Sequence, residues 1–184
     1  DQIKKYVAIR PEIKNYLVEQ FNIDPNMIEV IYNPIDASRF KPTTNGIKNA
    51  RPKVLFVGTI DYLRRAAIED LIETTKAEGK DLTIVGKKND IYLEGLLVNN
   101  PHVTYHEATN NIEKFVKECD ETAGILLGRT TIEGWMCGKK GWIYNVDNVG
   151  TILTKTLHDI PDDIDKFKSE IVASKIYKEY TNLV

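Results

Sequence analysis

Three features of this chain predict an α/β fold, a parallel sheet with helices packed on both faces. Short apolar strands alternate with amphipathic helices from Val54 onward, the pattern of repeated βαβ units. The strands VLFV and LTIV are apolar on both faces, as in strands buried from two sides. Three strands run into a glycine, at Gly58, Gly86 and Gly128. In an open parallel sheet the carboxyl ends of the strands form the ligand crevice, so these glycines are expected to line one edge of a pocket.

The elements follow in order. Lys5–Arg10 reads as a strand or its end, with nothing before it to pair with locally. Pro11 at a first helical position, followed by EIKNYLVEQF, predicts a helix with Ile13, Tyr16, Leu17 and Phe21 on one side. Ile28–Tyr32 is a short strand closed by the turn signal Asn33-Pro34. Residues 43–52, polar and bounded by proline, read as a loop. Strand Val54–Val57 leads into a helix over Tyr62–Ala77, ended by Glu78-Gly79. Strand Leu82–Val85 precedes a helix around Asp90–Val98, and strand Val103–Tyr105 one around Asn111–Glu118. Strand Gly124–Leu127, a very short helix and strand Trp142–Tyr144 complete the alternation. From Asp162 onward, Ile164, Phe167, Ile171, Ile176 and Tyr177 fall on roughly helical spacing and predict one or two closing helices. The expected organisation is therefore a helix and strand segment over 1–42, a loop over 43–52, the α/β domain over 53–161 and a helical tail over 162–184.

Composition narrows the function. The chain has 184 residues, enough for one sizeable core, and Lys+Arg 25 nearly balances Asp+Glu 27. Nothing in that balance points to nucleic acid. Cys119 and Cys137 make no metal or redox spacing, and His102, His106 and His158 are scattered, so neither metal nor cofactor is expected. Reduced cysteines, with no apolar run of membrane-spanning length and no signal peptide, make the cytoplasm the expected location. The chain opens at Asp1 without a methionine and reads as an excised or processed piece of a longer protein.

The richest stretch is GILLGRTTIEGWMCGKKGWIYN, Gly124–Asn145. Gly128 lets backbone approach a ligand closely. The hydroxyls of Thr130 and Thr131 fall where a helix N-cap would be, among unpaired N–H groups at the positive end of the dipole. Arg129 adds a planar cation. Together they make a phosphate seat, with Glu133 close enough to reach a hydroxyl of the same ligand. The same residues also fit an ordinary βαβ turn with a capped helix and a surface arginine.

Several segments, in order, resemble the C-terminal, donor-binding half of a GT-B-type glycosyltransferase of the family-4 kind. They are VAIRPEIKNYLVEQFNI, VIYNPIDASRFKP, KVLFVGTIDYLRR, LTIVG and GRTTIEGWMCGKKGWIYN. The resemblance implies a Rossmann-like parallel sheet, one half of a GT-B fold, plus C-terminal helices. It also implies a nucleotide-sugar donor, UDP- or GDP-linked, with the acceptor sugar or lipid bound by an N-terminal domain that would also carry any membrane association. Polysaccharide or glycolipid synthesis is the implied setting. In this pattern Glu133 falls on the glutamate that bonds the ribose hydroxyls. An earlier glutamate that helps hold the donor sugar is replaced by Ile125. The phosphate loop has Thr59 where an arginine is usual, and Arg64, with Arg65 beside it, falls near the usual lysine; Arg129 is our candidate for restoring the charge lost at Thr59. Diphosphate binding is thereby expected from Gly58, Thr59, Arg64, Arg65, Gly128, Arg129, Thr130 and Thr131. Base binding is expected near Gly86, Lys87 and His106, the last standing where glycine is common. Two other readings stay open: an epimerase-type GT-B relative, and a non-catalytic nucleotide-binding or interaction module.

Overall fold

The computed structural model describes residues 3–42 and 49–182, arranged as two compact units. One comprises the chain up to Ala37 together with the chain from Asp163 on; the other is Ser38–Asp162. Residues 43–48 of the expected loop lie outside the described residues.

In the first unit, β1 (Tyr6–Ala8) and β2 (Ile28–Val30) pair in parallel. Parallel strands need a crossover, and α1 (Pro11–Phe21) supplies it, so the strand with no local partner finds one beyond the helix. Pro11 begins α1, and Asn22 ends it in the left-handed conformation at φ 52°.

The second unit holds a six-stranded sheet in the order β5-β4-β3-β6-β7-β8. Its strands are β3 (Lys53–Val57), β4 (Asp81–Val85), β5 (Val103–His106), β6 (Glu121–Ile125), β7 (Lys140–Val146) and β8 (Ile152–His158). Between them run α2 (Tyr62–Ala77), α3 (Tyr92–Asn99), α4 (Ile112–Glu118) and α5 (Arg129–Met136). On one face Val54, Phe56, Leu82, Ile84, Val103, Ala123 and Tyr144 form a buried cluster with Ile68, Leu71 and Ile72 of α2 and Leu93 of α3. The other face is packed by α4 and α5: a Cβ on Gly134 of α5 would come within 2.6 Å of the Thr122 side chain of β6. Helices on both faces bear out the expected class.

Two elements differ from the expectation. The sheet is not wholly parallel, because β8, which was not expected, pairs antiparallel with β7. Its register is set by a tight turn in which Asp147 Oδ1 accepts from the N–H groups of Val149 (3.0 Å) and Thr151 (2.8 Å). The strand expected over Gly124–Leu127 is shifted: β6 spans Glu121–Ile125, and Leu126 leaves it with φ 57°. The apolar Leu126 and Leu127 mimic a strand, but an αL leucine cannot continue one.

The tail returns to the head of the chain. A single 3-10 turn, Ile164–Phe167, leads into α6 (Ser169–Thr181). Ile35 N–H donates to Phe167 O at 2.8 Å, and Ser169 donates to Ile35 O through both N–H (3.0 Å) and Oγ (2.9 Å). The Phe167 ring stands edge-on to Tyr32 at 4.8 Å, and Lys175 Nζ donates to Val30 O at 2.7 Å. Both ends of the sequence thus share one unit.

The carboxyl ends of β3 and β4 meet very closely. Gly58 N–H donates to Val85 O at 3.0 Å, and a Cβ built on Gly86 would stand 1.8 Å from Gly58 O. No rotamer relieves a clash with backbone. Gly86→Ala is therefore expected to lower stability by about 3 kcal/mol in urea unfolding, through forced separation of these strand ends. A variant within about 0.5 kcal/mol of the parent would show that the ends part freely.

Candidate functional site

The sheet changes direction between β3 and β6, since β4 and β5 continue to one side of β3 while β6 and β7 lie on the other. Connections diverge there, and a crevice opens at the carboxyl ends of the strands. Two cavities occupy it.

The smaller, about 210 Å³, is lined by Gly58, Arg64, Ile125, Gly128, Thr130 and Thr131 among others. Leu126 N–H donates to Tyr144 O and Gly128 N–H to Leu126 O, both at 2.8 Å, and this tight turn starts α5. Gly128 is the N-cap, so the threonines expected at the cap fall within the first turn, at the second and third helical positions. No side chain caps the helix, and its first-turn N–H groups have no intrahelical acceptor. Thr131 is fully buried, and among the described residues its Oγ1 has no hydrogen-bond partner. Such an orphan at a cavity wall is a hydroxyl that a ligand could satisfy. Arg64, in the first turn of α2, faces the same cavity. Its guanidinium is paired with the carboxylate of Asp61, the N-cap of α2.

The larger cavity, about 520 Å³, is lined by Arg39, Phe40, Thr109, Asn110, Ile112 and Glu133 among others, and it shares Val57, Arg129 and Thr130 with the smaller. Glu133 is only 4% exposed and accepts from Arg129 Nε at 2.7 Å. Burial raises the Glu133 pKa above the ordinary carboxylate value, and the bond from Arg129 only partly offsets it. Arg39 donates to Glu113 at 2.6 Å and to Asn110 O at 3.4 Å, tying α4 and the loop after β5 to the cavity wall.

The structure thus brings Gly58, Arg64, Gly128, Arg129, Thr130, Thr131 and Glu133 together. It places the other expected residues elsewhere. Arg65 pairs with Glu69 at 2.8 Å and lines a separate cleft with Tyr62 and Val149. Thr59 lines neither cavity. Gly86 is buried against Gly58, and Lys87 is exposed. The His106 ring leans on Phe115 at 4.9 Å and faces a groove on the α4 side of the sheet with His102 and Cys119. Burial pushes the Cys119 thiol up to about 12, which leaves it a packing residue. Sequence reasoning passed over Arg39, although it lies inside the segment VIYNPIDASRFKP; a cation next to the buried Phe40 was the available signal. Among the described residues, no group of three or more His, Cys, Asp or Glu is placed to hold a metal ion.

The fold matches solved glycosyltransferases. A glycosyltransferase from Rickettsia africae superposes with TM-score 0.70 at 16% identity, over 98% of this chain and 63% of that one. HepE from Anabaena, solved in complex with UDP-glucose, gives 0.62 at 17% identity, over 80% of this chain and 46% of its own. WaaG, a glycosyltransferase involved in lipopolysaccharide biosynthesis, gives 0.59 at 15% identity, over 76% and 44%. The fold is that of one half of a GT-B glycosyltransferase. No family model and no curated protein matches the sequence. The chain spans less than two thirds of each of these solved proteins. Among the described residues, no helix is long and apolar enough to cross a membrane.

The raised pKa of Glu133 has a sign that can be checked. An acid whose folded pKa lies above its unfolded value favours the native state most below the unfolded pKa, and that advantage is lost as pH rises through the folded pKa. Glu133→Gln removes the loss. The variant is expected to unfold at a higher urea concentration than the parent near about pH 7.5, with the gap closing towards the unperturbed value of 4.5. A Glu133→Gln variant less stable than the parent by one margin at both pH values would overturn this.

Proposed function

We propose that the chain is the donor-binding half of a glycosyltransferase, and that the two joined cavities take the diphosphate and the nucleoside of a nucleotide sugar. One observation carries this reading. Arg129 and Thr130 sit at the junction of a small cavity with cations and an orphan hydroxyl and a larger one with a buried carboxylate. A diphosphate suits the first, where an uncapped helix start and the Arg64 and Arg129 guanidinia face negative charge. A ribose suits the second, since an ionised Glu133 is acceptor-only and a diol offers two O–H donors.

Transfer breaks the bond between the anomeric carbon and the β-phosphate oxygen and leaves negative charge on that phosphate. In this reading Arg64, Arg129 and the first-turn N–H groups of α5, which belong to residues lining the smaller cavity, stabilise that charge. Losing one such donor costs on the order of 3 kcal/mol of transition-state stabilisation. Ile125 gives the diphosphate cavity an apolar wall, so β6 offers the donor sugar no carboxylate. In this reading acceptor recognition, and any general acid or base, belong to a further domain, and the chain alone binds donor without transferring it. The acceptor is a growing polysaccharide or a glycolipid, in line with the lipopolysaccharide role of WaaG.

A thermal-shift panel of UDP, GDP, ADP and their sugars tests the reading. At a ligand concentration of about 100 times Kd, binding stabilises the native state by roughly 2.7 kcal/mol. At least one nucleotide is expected to raise the melting temperature, and flat responses throughout would overturn the proposal. Glu133→Ala is expected to weaken that nucleotide by about 10- to 100-fold in calorimetry, the worth of a hydrogen bond to a charged group. Arg39→Ala is expected to weaken nucleoside diphosphates while leaving pyrophosphate binding unchanged.

A further inference from the structure

We infer that the Arg129–Glu133 pair makes this site favour a diphosphate that comes with a vicinal diol over a diphosphate offered alone. The inference rests on the donor-site reading above and adds a selection rule to it.

Every cation facing the two cavities is already held by a carboxylate of the chain itself. Arg39 is bound to Glu113, Arg64 to Asp61 and Arg129 to Glu133. The three pairs are not equivalent. The Glu113 and Asp61 side chains are 26% and 23% exposed, within reach of water. Glu133 is 5% exposed, and among the described residues its carboxylate has Arg129 alone as hydrogen-bond partner. Arg129 itself is 61% exposed and lines both cavities at their junction.

A diphosphate in the small cavity competes for that guanidinium. If Arg129 turns to it, Glu133 is left as a buried carboxylate without a counter-ion, which opposes binding. The charged and titratable groups around Glu133 offer no replacement. Arg39 is committed to Glu113, Glu113 is itself an anion, and Cys137 on the same helix is a thiol whose pKa burial raises. What satisfies a carboxylate released in this way is a pair of hydroxyl donors in the larger cavity. A ribonucleoside diphosphate brings both halves at once: its phosphates take Arg129 and its 2′- and 3′-hydroxyls take Glu133. The anion and the diol are therefore coupled through the exchange of one ion pair, and coupling of this kind is reciprocal.

The experiment is calorimetric titration of the full chain and of E133Q with pyrophosphate, with UDP, GDP and ADP, and with their 2′,3′-dideoxy forms. Glutamine has the shape of glutamate without the charge, so releasing it from Arg129 strands no buried anion. The expected result is a crossing of affinities. E133Q binds pyrophosphate and the dideoxy nucleotides about tenfold more tightly than the parent, yet binds the best ribonucleotide about tenfold more weakly. R129M leaves Glu133 without its ion pair before any ligand binds, so it is expected to keep the preference for the ribonucleotide over its dideoxy form, while E133Q added to R129M no longer raises pyrophosphate affinity. Equal pyrophosphate affinity in parent and E133Q, with ribonucleotides still bound, would overturn the exchange while leaving the donor site intact. A pyrophosphate gain in E133Q with no nucleotide bound by the parent would keep the exchange and overturn the donor reading.

Discussion

The candidate site hangs on the change of direction between β3 and β6. Five strands run parallel, so all their carboxyl ends point the same way, and the connections from β3 and β6 leave in opposite directions. The gap between them is a consequence of connectivity and exists whatever side chains surround it. The contact of Gly86 with Gly58 O holds one wall close, and the turn through Leu126 and Gly128 shapes the other. Because α5 starts at Gly128, with no side-chain cap, its unsatisfied N–H groups open into the gap.

Within that frame the charges are internally balanced. Cations gathered around one crevice would repel one another and attract bulk counter-ions if left alone; here each is paired across one turn of helix or across the cavity wall. Ligand binding then becomes a trade of partners, and its cost depends on how well each released carboxylate is solvated. Burial makes Glu133 the costly one. The same burial raises its pKa, so the pH dependence of stability and the proposed selectivity of the site both rest on one residue.

Much of this was legible from residue order. The helix over Tyr62–Ala77 has the same bounds in the structure, because Asp61 caps it and Gly79 stops it. The seat around Arg129 and Glu133 was visible because a glycine, two threonines and a glutamate on one short helix combine anion and hydroxyl chemistry. Other features were not legible. Leu126 and Leu127 read as strand by apolarity, whereas the backbone turns left-handed at Leu126 to aim α5. The alternation in ILTKTLH carried the signal for β8, but a chain of βαβ units gave no reason to expect an antiparallel edge. His106 and Lys87 follow strand ends in sequence, yet the sheet directs one to the α4 groove and the other to solvent.

By itself the sequence determined the α/β class and the chemistry available at the crevice, because periodicity, caps and glycines act over a few residues. Tertiary structure alone decided which cations share the site. Arg64 and Arg65 are neighbours in the chain, but successive helical positions face about 100° apart, so one faces the smaller cavity and the other a different cleft. Arg39 reaches the site only because the fold lays its segment beside α4. Likewise, joining both ends of the chain in one unit depends on backbone bonds between Ile35 and the Phe167–Ser169 segment, a long-range pairing that no local pattern encodes.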